Sequence, residues 1–278
     1  MMKRNKTWLI TGCSSGLGRA FAQEVLKNGY NAIITSRNPK DIQDIVENYP
    51  ETALGLALDV TKKEQVKEVI KQAGERFGSI DVLINNAGYG YRSAVEEADE
   101  SQVNELFSVN FSGMVNMIKA VLPIMRKQKS GAIFNVSSIA GRFSNPGSGY
   151  YSATKFAIEG MSYALRKEVA PLGIRVIIIE PGAFRTDFSG RSLTGTRIEI
   201  SDYKETAGKR RKENDHTHGT EPGNPQKAAQ AIIKVEESAE VPFRLLLGTD
   251  AINIIRPELE AQLKELEDWK EISLSTDY

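Results

Sequence analysis

Seven short runs of apolar residues recur along this chain, and their regular alternation with helical patterns is the strongest constraint on its fold. The runs are continuous rather than alternating in polarity, as strands covered on both faces of a sheet require. They are TWLIT (7–11), NAIITS (31–36), TALGLALDV (52–60), DVLIN (81–85), AIFNVSS (132–138), RVIIIEPG (175–182) and RLLLG (244–248). This alternation predicts βαβ units and therefore an α/β, doubly wound fold, with a parallel sheet of about seven strands and helices on both faces.

Between these runs, apolar residues repeat at the spacing of a helix face. One predicted helix begins near Leu17, a second runs from Lys62 to Phe77, and another begins at Pro225. Two longer helices are predicted from apolar residues three or four positions apart: Phe107, Phe111, Met114, Ile118 and Leu122 in the first, and Ile158, Met161, Leu165 and Val169 in the second. A C-terminal helix is expected to have Pro257 near its start, with three leucines on one face, Leu259, Leu263 and Leu266.

The composition favours a single domain, residues 1–278, in the cytoplasm. Hydrophobic residues make up 40% of the chain, and the 36 basic residues balance the 36 acidic ones, so net charge gives no reason to expect a nucleic-acid or membrane partner. The single cysteine, Cys13, cannot form an intrachain disulfide and fits a reducing compartment. No apolar run approaches the roughly 20 residues that cross a bilayer, and the first run is too short for a signal peptide.

A glycine-rich turn follows the first apolar run. The sequence TGCSSGLG places Gly12, Gly16 and Gly18 between a predicted strand and a predicted helix. Small residues there allow the backbone to approach a pyrophosphate, and the helix N-terminus offers N–H donors and a positive dipole end. The spacing GxxxGxG differs from the commonest dinucleotide fingerprint, so the glycines alone are also consistent with a purely structural turn. Their position at the first strand-to-helix junction favours a dinucleotide site, in which Cys13 is expected to be a small filler and not a nucleophile.

The end of the second apolar run bears on the choice of cofactor. An acid about 20 residues beyond the glycines would bind a ribose 2′-hydroxyl, whereas a cation suits a 2′-phosphate. This run ends in Ser36 and Arg37, and no carboxylate occurs before Asp41. We therefore predict that NADP(H) is preferred over NAD(H), with Arg37 at the phosphate; the alternative is that Arg37 is a solvated loop residue.

Two adjacent tyrosines precede a lysine in the sequence YYSATK. Residues four apart share a helix face, so Lys155 neighbours Tyr151, whereas Tyr150 meets Thr154. Lowering the pKa of a phenol from about 10 by about 3 units takes roughly 4 kcal/mol, and one ammonium about 4 Å away supplies an energy of that order at an effective dielectric constant near 20. The pair therefore predicts that Tyr151 is a general acid/base whose pKa is lowered by Lys155, although in isolation such a pair is usually a surface feature.

Six motifs occur in the order and strand context of a known family: TGCSSGLG, LDV, NNAG, NVSS, YSATK and PG. Over roughly residues 5–190 the chain therefore resembles the short-chain dehydrogenase/reductase family, whose members have a Rossmann-type fold. The remaining C-terminal third resembles that family only in general layout. The resemblance implies an oxidoreductase that transfers a hydride between NADP or NAD and a carbonyl or CH–OH group.

The same resemblance gives individual positions an expected role. The implied catalytic residues are Asn110, Ser138, Tyr151 and Lys155, with Ser137 the less favoured alternative to Ser138. Ser138 would bind the substrate oxygen, and Asn110 would hold a water that links Lys155 to solvent. Together with Arg37, the residues expected to bind the cofactor are Gly12, Ser14, Ser15, Gly16, Leu17, Gly18, Asp59, Val60, Asn86, Ala87, Gly88, Tyr151, Lys155, Pro181, Gly182 and Thr186.

The remaining sequence bears on the substrate. Five aromatic residues are expected to form an apolar rim that suits a lipophilic ketone, aldehyde or secondary alcohol, the alternative being that they pack the loops: Tyr89, Tyr91, Phe143, Phe184 and Phe188. Residues 184–225 are expected to form a substrate lid, with GKRRKEN (208–214) as a solvated part of it. His216 and His218 lack the further ligands that a metal site needs, so no metal is expected.

The two longer helices carry more apolar surface than one sheet contact needs. In the resembled family these helices form a four-helix subunit contact, which predicts a homodimer or homotetramer. Two other functions stay open. An epimerase or dehydratase shares the tyrosine–lysine pair but usually has GxxGxxG spacing and a larger C-terminal sugar domain. A non-catalytic NADP sensor on the same scaffold typically lacks the tyrosine or the lysine.

Overall fold

A parallel sheet is the centre of the molecule. The computed structural model describes residues 5–188, 190, 192–212 and 219–278. Its strands are β1 (Thr7–Ile10), β2 (Asn31–Ser36), β3 (Ala53–Ala57), β4 (Val82–Asn85), β5 (Gly90–Arg92), β6 (Gly131–Val136), β7 (Ile174–Pro181), β8 (Leu193–Gly195) and β9 (Arg244–Leu247). Seven of them form one sheet in the order β3-β2-β1-β4-β6-β7-β9, and every neighbouring pair is parallel. The predicted seven-stranded, doubly wound sheet is confirmed.

Helices cover both faces of this sheet. They are α1 (Gly16–Lys27), α2 (Gln43–Asn48), α3 (Lys63–Phe77), α4 (Glu100–Phe107), α5 (Met114–Gln128), α6 (Gly149–Val169), α7 (Pro225–Glu237), α8 (Thr249–Asp268) and α9 (Lys270–Leu274). Successive strand residues point to opposite faces, so Trp8 joins the core beneath α1 and α7, whereas Leu9 joins the core beneath α3, α5 and α6. Both side chains are fully buried, which explains why the strand sequences are apolar without interruption.

Most helices begin where the sequence pattern places them, but the C-terminal one does not. It starts at Thr249, directly after Gly248 with a φ of 106°, so the expectation that Pro257 lies near its start is wrong. Pro257 instead lies inside the helix, where it removes one backbone donor. The second half of this helix is largely exposed, including its leucines Leu259, Leu263 and Leu266.

A π-helical turn connects α4 to α5. Residues Ser108–Gly113 form it, with Asn110 at its centre, and the helical stretch continues without a break from Glu100 to Gln128. Such turns inside a helix occur often at functional sites. By length and composition this stretch could cross a membrane, but its inner face packs against the sheet through Met117 and Val121, as the core helix of a globular domain does.

The segment predicted to be a lid contains structure that the sequence does not reveal. Strand β8 pairs in parallel with β5 in a two-stranded sheet of its own. A bridge between Phe184 and Gly223 closes the base of the segment. Residues Ser201–Tyr203 and Lys204–Gly208 form short helical turns. This segment is therefore tied to the loop after β4.

Candidate active site

A cavity of about 1340 Å³ opens at the carboxyl ends of the strands and brings together almost all of the predicted site residues. The predicted residues that line it are Gly12, Ser14, Ser15, Gly16, Leu17, Arg37, Asp59, Val60, Asn86, Ala87, Gly88, Ser138, Tyr151, Lys155, Pro181, Gly182 and Thr186. Two predicted residues, Gly18 and Asn110, do not line it. In parallel α/β sheets this edge is where ligands bind.

The glycine-rich turn has the shape that a dinucleotide phosphate requires. Gly12 and Gly16 have φ values of 71° and 59°, which residues with side chains rarely adopt. Ser15 precedes α1 without a capping hydrogen bond from its side chain, so the first N–H groups of this helix face the cavity without a side-chain acceptor. Thr186 lies opposite, since a Cβ added to Gly16 would be 3.4 Å from its Cβ. These features fit a pyrophosphate at the helix N-terminus.

Gly18 supports this turn from beneath instead of lining the cavity, which differs from its predicted role. A Cβ at Gly18 would lie 2.3 Å from the backbone oxygen of Gly12 and 2.4 Å from Nδ2 of Asn86. That amide nitrogen donates to Gly12 O at 3.0 Å and to Thr11 O at 2.9 Å. Close packing at Gly18 therefore holds the turn after β4 against the turn after β1.

We expect the substitution Gly18→Ala to weaken NADPH binding by about tenfold or more, because overpacking against a backbone atom costs roughly 1–3 kcal/mol and displaces the turn. The dissociation constant is measured by titrating NADPH fluorescence. Gly74→Ala is the matched control, since Gly74 also lies in a helix and, apart from the adjoining helix backbone, no atom of the described residues is within 4 Å of the added Cβ. Equal NADPH affinity in Gly18→Ala and the wild type would show that this contact does not shape the cofactor site.

Arg37 and Asp59 lie at the part of the cavity predicted for the adenosine end. Arg37 is exposed at the cavity edge, and Ser36 beside it is buried with its hydroxyl bonded to Asn38 O at 2.6 Å. Burial acts to raise the pKa of Asp59, but two hydrogen bonds from Thr61, at 2.7 and 2.9 Å, lower it below its usual value. The Asp59 carboxylate is therefore ionised and fixed in direction.

Tyr151 and Lys155 meet inside the cavity, one turn apart on α6. Lys155 is buried, its Nζ donates to Val136 O at 3.0 Å, and it lies 5.6 Å from the centroid of the Tyr151 ring. Tyr150 does not line the cavity: its hydroxyl donates to Val95 O at 3.0 Å. The sequence-based choice of Tyr151 over Tyr150 therefore matches their positions.

The pKa predicted for Tyr151 is wrong for the protein without cofactor. Burial raises the pKa of the phenol to about 12, and the opposing influences come from Ser138 and the charge of Arg92, not from Lys155. Burial also lowers the pKa of the Lys155 ammonium to about 8, against the charge of Glu159. The prediction placed a full positive charge beside the phenol at an intermediate effective dielectric constant, and it did not include the cost of moving the phenolate out of water. Tyr151 is accordingly protonated at neutral pH.

Ser138, and not Ser137, faces the phenol. The Ser138 hydroxyl lies near enough to the Tyr151 phenol to lower its pKa by hydrogen bonding, although the contact does not have the geometry of a standard hydrogen bond. Ser138 Oγ also accepts from Ala140 N at 3.1 Å, at the start of a 3₁₀ turn. Ser137 is 1% exposed and packs under Gly141.

Asn110 lies behind the site, in the π-helical turn. Its Oδ1 accepts from Tyr89 N at 3.0 Å, and its Nδ2 donates to Tyr89 O at 2.9 Å and to Thr154 Oγ1 at 3.2 Å. These bonds tie the loop after β4 to α6, which carries Tyr151. Its side chain therefore positions the site; the role of holding a water for Lys155 stays a prediction.

Four of the five aromatic residues predicted to form the rim do line the cavity, and the fifth, Tyr91, does not. Tyr89, Phe143, Phe184 and Phe188 line the cavity. Tyr91 is 1% exposed and packs with its edge against the ring of Tyr150. Sequence reasoning also missed two cations that line the cavity, Arg92 and Arg210. The alternation of side chains along GYGYRS could have indicated Arg92, since the residue after a buried strand position points the other way.

The basic run in the lid is solvated only in part: Lys209 and Lys212 are exposed as predicted, Arg211 is not, and residues 213 and 214 lie outside the described part of the chain. Arg211 forms an ion pair with the fully buried Glu97 at 2.5 Å, and this contact is the main cause that lowers the pKa of Glu97 to about 2. Glu97 also accepts from Ala94 N and Ile200 N. His216 and His218 lie outside the described residues, and within the described ranges no group of potential metal ligands occurs.

Cys13 behaves as a small core residue. It is fully buried, and burial raises the pKa of its thiol to about 12. A thiol in that state is neither a nucleophile nor a metal ligand at neutral pH. The expectation that Cys13 fills space in the glycine-rich turn agrees with this environment.

Comparisons with known proteins place this chain in a family. Residues 6–196 match the model of the short chain dehydrogenase family. A 3-ketodihydrosphingosine reductase from Bacteroides thetaiotaomicron is 40% identical over 86% of this chain and 87% of its own length. A short-chain dehydrogenase from Streptomyces avermitilis superposes with a TM-score of 0.92 at 39% identity, covering 99% of this chain and 100% of that one.

A further solved relative contains a cofactor analogue. It is an alcohol dehydrogenase from the archaeon Thermococcus sibiricus in complex with 5-hydroxy-NADP, with a TM-score of 0.72 and 26% identity over 88% of this chain and 96% of that one. The sequence motifs, the shape of the glycine-rich turn and these relatives all indicate the same family. This chain is therefore an oxidoreductase of the short-chain dehydrogenase/reductase family that uses a nicotinamide cofactor.

Proposed function

We propose that this protein transfers a hydride between NADP(H) and a ketone, aldehyde or secondary alcohol, with Tyr151 as the general acid/base. One observation carries the proposal: the Tyr151 phenol, the Ser138 hydroxyl and the Lys155 ammonium line the same cavity as the glycine-rich turn. Burial keeps this phenol protonated at neutral pH in the cofactor-free protein, which is the form that can donate a proton in carbonyl reduction.

In this mechanism the protein binds and polarises the carbonyl compound. NADPH, when bound, supplies the hydride to the carbonyl carbon. Tyr151 donates its phenolic proton to the carbonyl oxygen, and the Ser138 hydroxyl donates a hydrogen bond to that oxygen as negative charge develops. Lys155 does not lower the phenol pKa in the resting protein, but its ammonium lies 5.6 Å from the centroid of the Tyr151 ring and would stabilise the phenolate that forms when the proton leaves. Val136 O holds this ammonium in place at 3.0 Å. Burial strengthens the attraction between ammonium and phenolate because the cavity wall has a low dielectric constant.

The substrate proposed is a carbonyl compound with a substantial apolar part. Phe143, Phe184 and Phe188 line the cavity, and the Phe188 ring lies 5.7 Å from the ring of Tyr151. Such rings hold the apolar part of a ligand next to a small polar centre. One relative is named as a 3-ketodihydrosphingosine reductase, an enzyme that reduces a ketone, which supports a carbonyl substrate here.

NADP(H) is the proposed cofactor because a cation, and no acid, follows β2. Arg37 lines the cavity edge, where a ribose 2′-phosphate would meet it. The complex of the Thermococcus sibiricus relative with an NADP analogue supports this choice. The first acid after β2 is Asp41, which also lines the cavity but lies four residues beyond Arg37 and not at the strand end, where an acid would bind a ribose 2′-hydroxyl.

We expect Arg37→Gln to lower the preference for NADPH over NADH by about tenfold or more, since a charge-assisted hydrogen bond contributes roughly 1.5–3 kcal/mol. The measurement is kcat/KM for each cofactor at a fixed carbonyl concentration. Lys40→Gln is the control, because Lys40 is also exposed but does not line the cavity. An unchanged ratio in Arg37→Gln would leave the 2′-phosphate without its proposed partner.

A direct assay tests the function itself. Purified protein is mixed with NADPH and a panel of aromatic and alkyl ketones and aldehydes, and the absorbance of the reduced nicotinamide is followed. Oxidation of NADPH that requires both protein and carbonyl supports the oxidoreductase proposal. NADPH binding without turnover of any carbonyl or alcohol would favour the sensor, although Tyr151 and Lys155 are both in place in the cavity.

The proposal includes a homodimer or homotetramer in the cytoplasm. Phe156 and Tyr163 are 47% and 48% exposed on the outer face of α6, where the family's subunit contact would cover apolar side chains. Light scattering of the purified protein measures the oligomeric state, and cell fractionation measures the location. A monomer at micromolar concentration would contradict the assembly.

A further inference from the structure

The cavity contains a cation that the described part of the chain does not neutralise. The Nε and Nη1 atoms of Arg92 are buried and have no hydrogen-bond partner among the described residues. No carboxylate contributes to the pKa of this guanidinium. A buried charge without a partner is costly and is rarely retained in a core for stability alone.

The backbone holds Arg92 at this place through the small sheet. Arg92 ends β5 and pairs with Gly195 of β8, and its carbonyl oxygen accepts from Thr196 N at 3.1 Å. The preceding residue, Tyr91, is buried with its hydroxyl accepting from Asp99 N at 3.3 Å. Since neighbouring strand residues point in opposite directions, the fixed Tyr91 directs Arg92 into the cavity.

The described charged residues around Arg92 do not compensate its positive charge. Burial lowers the pKa of the guanidinium, and the positive charge of Arg210 on the same cavity wall lowers it further. An arginine nevertheless stays protonated at neutral pH. Glu97, a fully buried acid between β5 and α4, forms its ion pair with Arg211 and not with Arg92. The acids that line the cavity form no hydrogen bond or ion pair with Arg92: Asp41, Asp59, Glu105 and Glu221.

Arg92 and Tyr151 line the same cavity, and one ring connects their surroundings: Phe188 lies 5.7 Å from the Tyr151 ring and also packs over Gly90, at the start of the strand that Arg92 ends. The charge of Arg92 acts on the Tyr151 phenol and lowers that pKa, and the phenol in turn raises the pKa of Arg92. A ligand atom bound to the guanidinium is therefore near the carbonyl that Tyr151 would protonate. The anionic group belongs on the same small part of the substrate as the reacting carbon.

We propose that Arg92 binds an anionic group of the substrate, so that the protein acts on keto acids or the corresponding hydroxy acids whose carboxylate lies within a few bonds of the reacting carbon. This inference rests on the proposed oxidoreductase function and narrows its substrate class. A planar guanidinium matches a carboxylate with two parallel hydrogen bonds. A neutral ketone in the same place leaves the buried cation unpaired, so the site discriminates against it.

The test compares kcat/KM for each keto acid with kcat/KM for its uncharged methyl ester. Benzoylformate and benzoylpropionate, each beside its methyl ester, are assayed with NADPH in the wild type. For whichever keto acid reacts faster, we expect kcat/KM to exceed that of its ester by about tenfold or more, because the ester leaves the buried Arg92 guanidinium unpaired. In Arg92→Gln the value for the acid should fall by about thirtyfold or more while the ester changes by less than about threefold, and Arg92→Lys should recover part of the loss.

The control keeps the effect specific to this position. Arg197→Gln alters an exposed arginine of the same lid segment that does not line the cavity, and it should behave as the wild type. Two outcomes would overturn the inference: equal rates for acid and ester in the wild type, or an equal loss for both in Arg92→Gln. NADPH affinity and melting temperature, measured on each variant, separate loss of recognition from loss of folding.

A binding experiment separates this inference from the proposed function. The NADPH-loaded protein is titrated calorimetrically with phenylbutyrate, its neutral amide and phenyl phosphate, none of which can be reduced. Binding of an anion that is at least tenfold tighter than that of the amide in the wild type, and not in Arg92→Gln, supports anion recognition even if no carbonyl is turned over. The relative affinities of carboxylate and phosphate then identify the anionic group. Equal binding of all three overturns the inference and leaves the oxidoreductase assignment intact.

Discussion

Replacing Tyr151 with phenylalanine should lower kcat/KM for carbonyl reduction by about 10³-fold or more, while NADPH affinity and melting temperature stay close to those of the wild type. General acid catalysis by one positioned group contributes about 10²–10⁴-fold. Among the described residues that line the cavity, no other hydroxyl combines the position of Tyr151 with a neighbouring ammonium. The ring itself packs against Phe188 at 5.7 Å, and phenylalanine keeps that contact. Steady-state assays with a keto acid and with a neutral ketone both measure the loss.

The adjacent tyrosine provides the control. Tyr150→Phe also removes one hydroxyl, but that hydroxyl donates to Val95 O outside the cavity, so its loss should change the rate by less than about threefold. The assignment of the proton donor fails if both variants lose activity equally, or if Tyr151→Phe oxidises NADPH as fast as the wild type.

The sequence predicts the sheet well because strand burial leaves a direct trace in composition. The run RVIIIEPG, for example, corresponds to Ile174–Pro181, and NAIITS corresponds to Asn31–Ser36 without a shift. The short strands Gly90–Arg92 and Leu193–Gly195 leave no such trace, because three residues do not form a periodic pattern. Their pairing depends on how the lid segment folds back, which is a contact across about a hundred residues.

The site was predictable where it depends on residue identity and spacing, and not where it depends on burial. Tyr151, Lys155 and Ser138 follow from motifs, and they line one cavity. The pKa of Tyr151 does not follow, because desolvation is set by the whole cavity wall. Arg92 was missed for the same reason. The alternation along GYGYRS directs its side chain away from that of Tyr91, but the burial of its Nε and Nη1 atoms is visible only in the structure.

Lys155→Met is the second large effect we expect: a loss of about 10³-fold in kcat/KM without a loss of stability. The methionine keeps most of the apolar stem but removes the charge that we propose to stabilise the phenolate of Tyr151. Burial lowers the pKa of Lys155 from 10.5 to about 8, so keeping the ammonium charged in the folded state costs roughly 3 kcal/mol at pH 7. The substitution removes this cost but also removes the hydrogen bond to Val136 O, which contributes only about 1 kcal/mol. The variant should therefore melt at the same temperature as the wild type or higher, which a merely structural lysine would not allow.

The pH profile of the wild type tests the same charge without a mutation. The ammonium is present below pH 8 and is lost above it, so kcat/KM for NADPH, which reports ionisations of the cofactor-free protein, should fall above a midpoint near pH 8. Because the folded state binds fewer protons than the unfolded chain between pH 8 and 10.5, stability should rise across the interval in which activity falls. Lys167→Met, on the exposed part of α6 beside Tyr163, is the control and should keep both the rate and the midpoint. A rate constant that stays flat to pH 10 would mean that the Lys155 charge is not required.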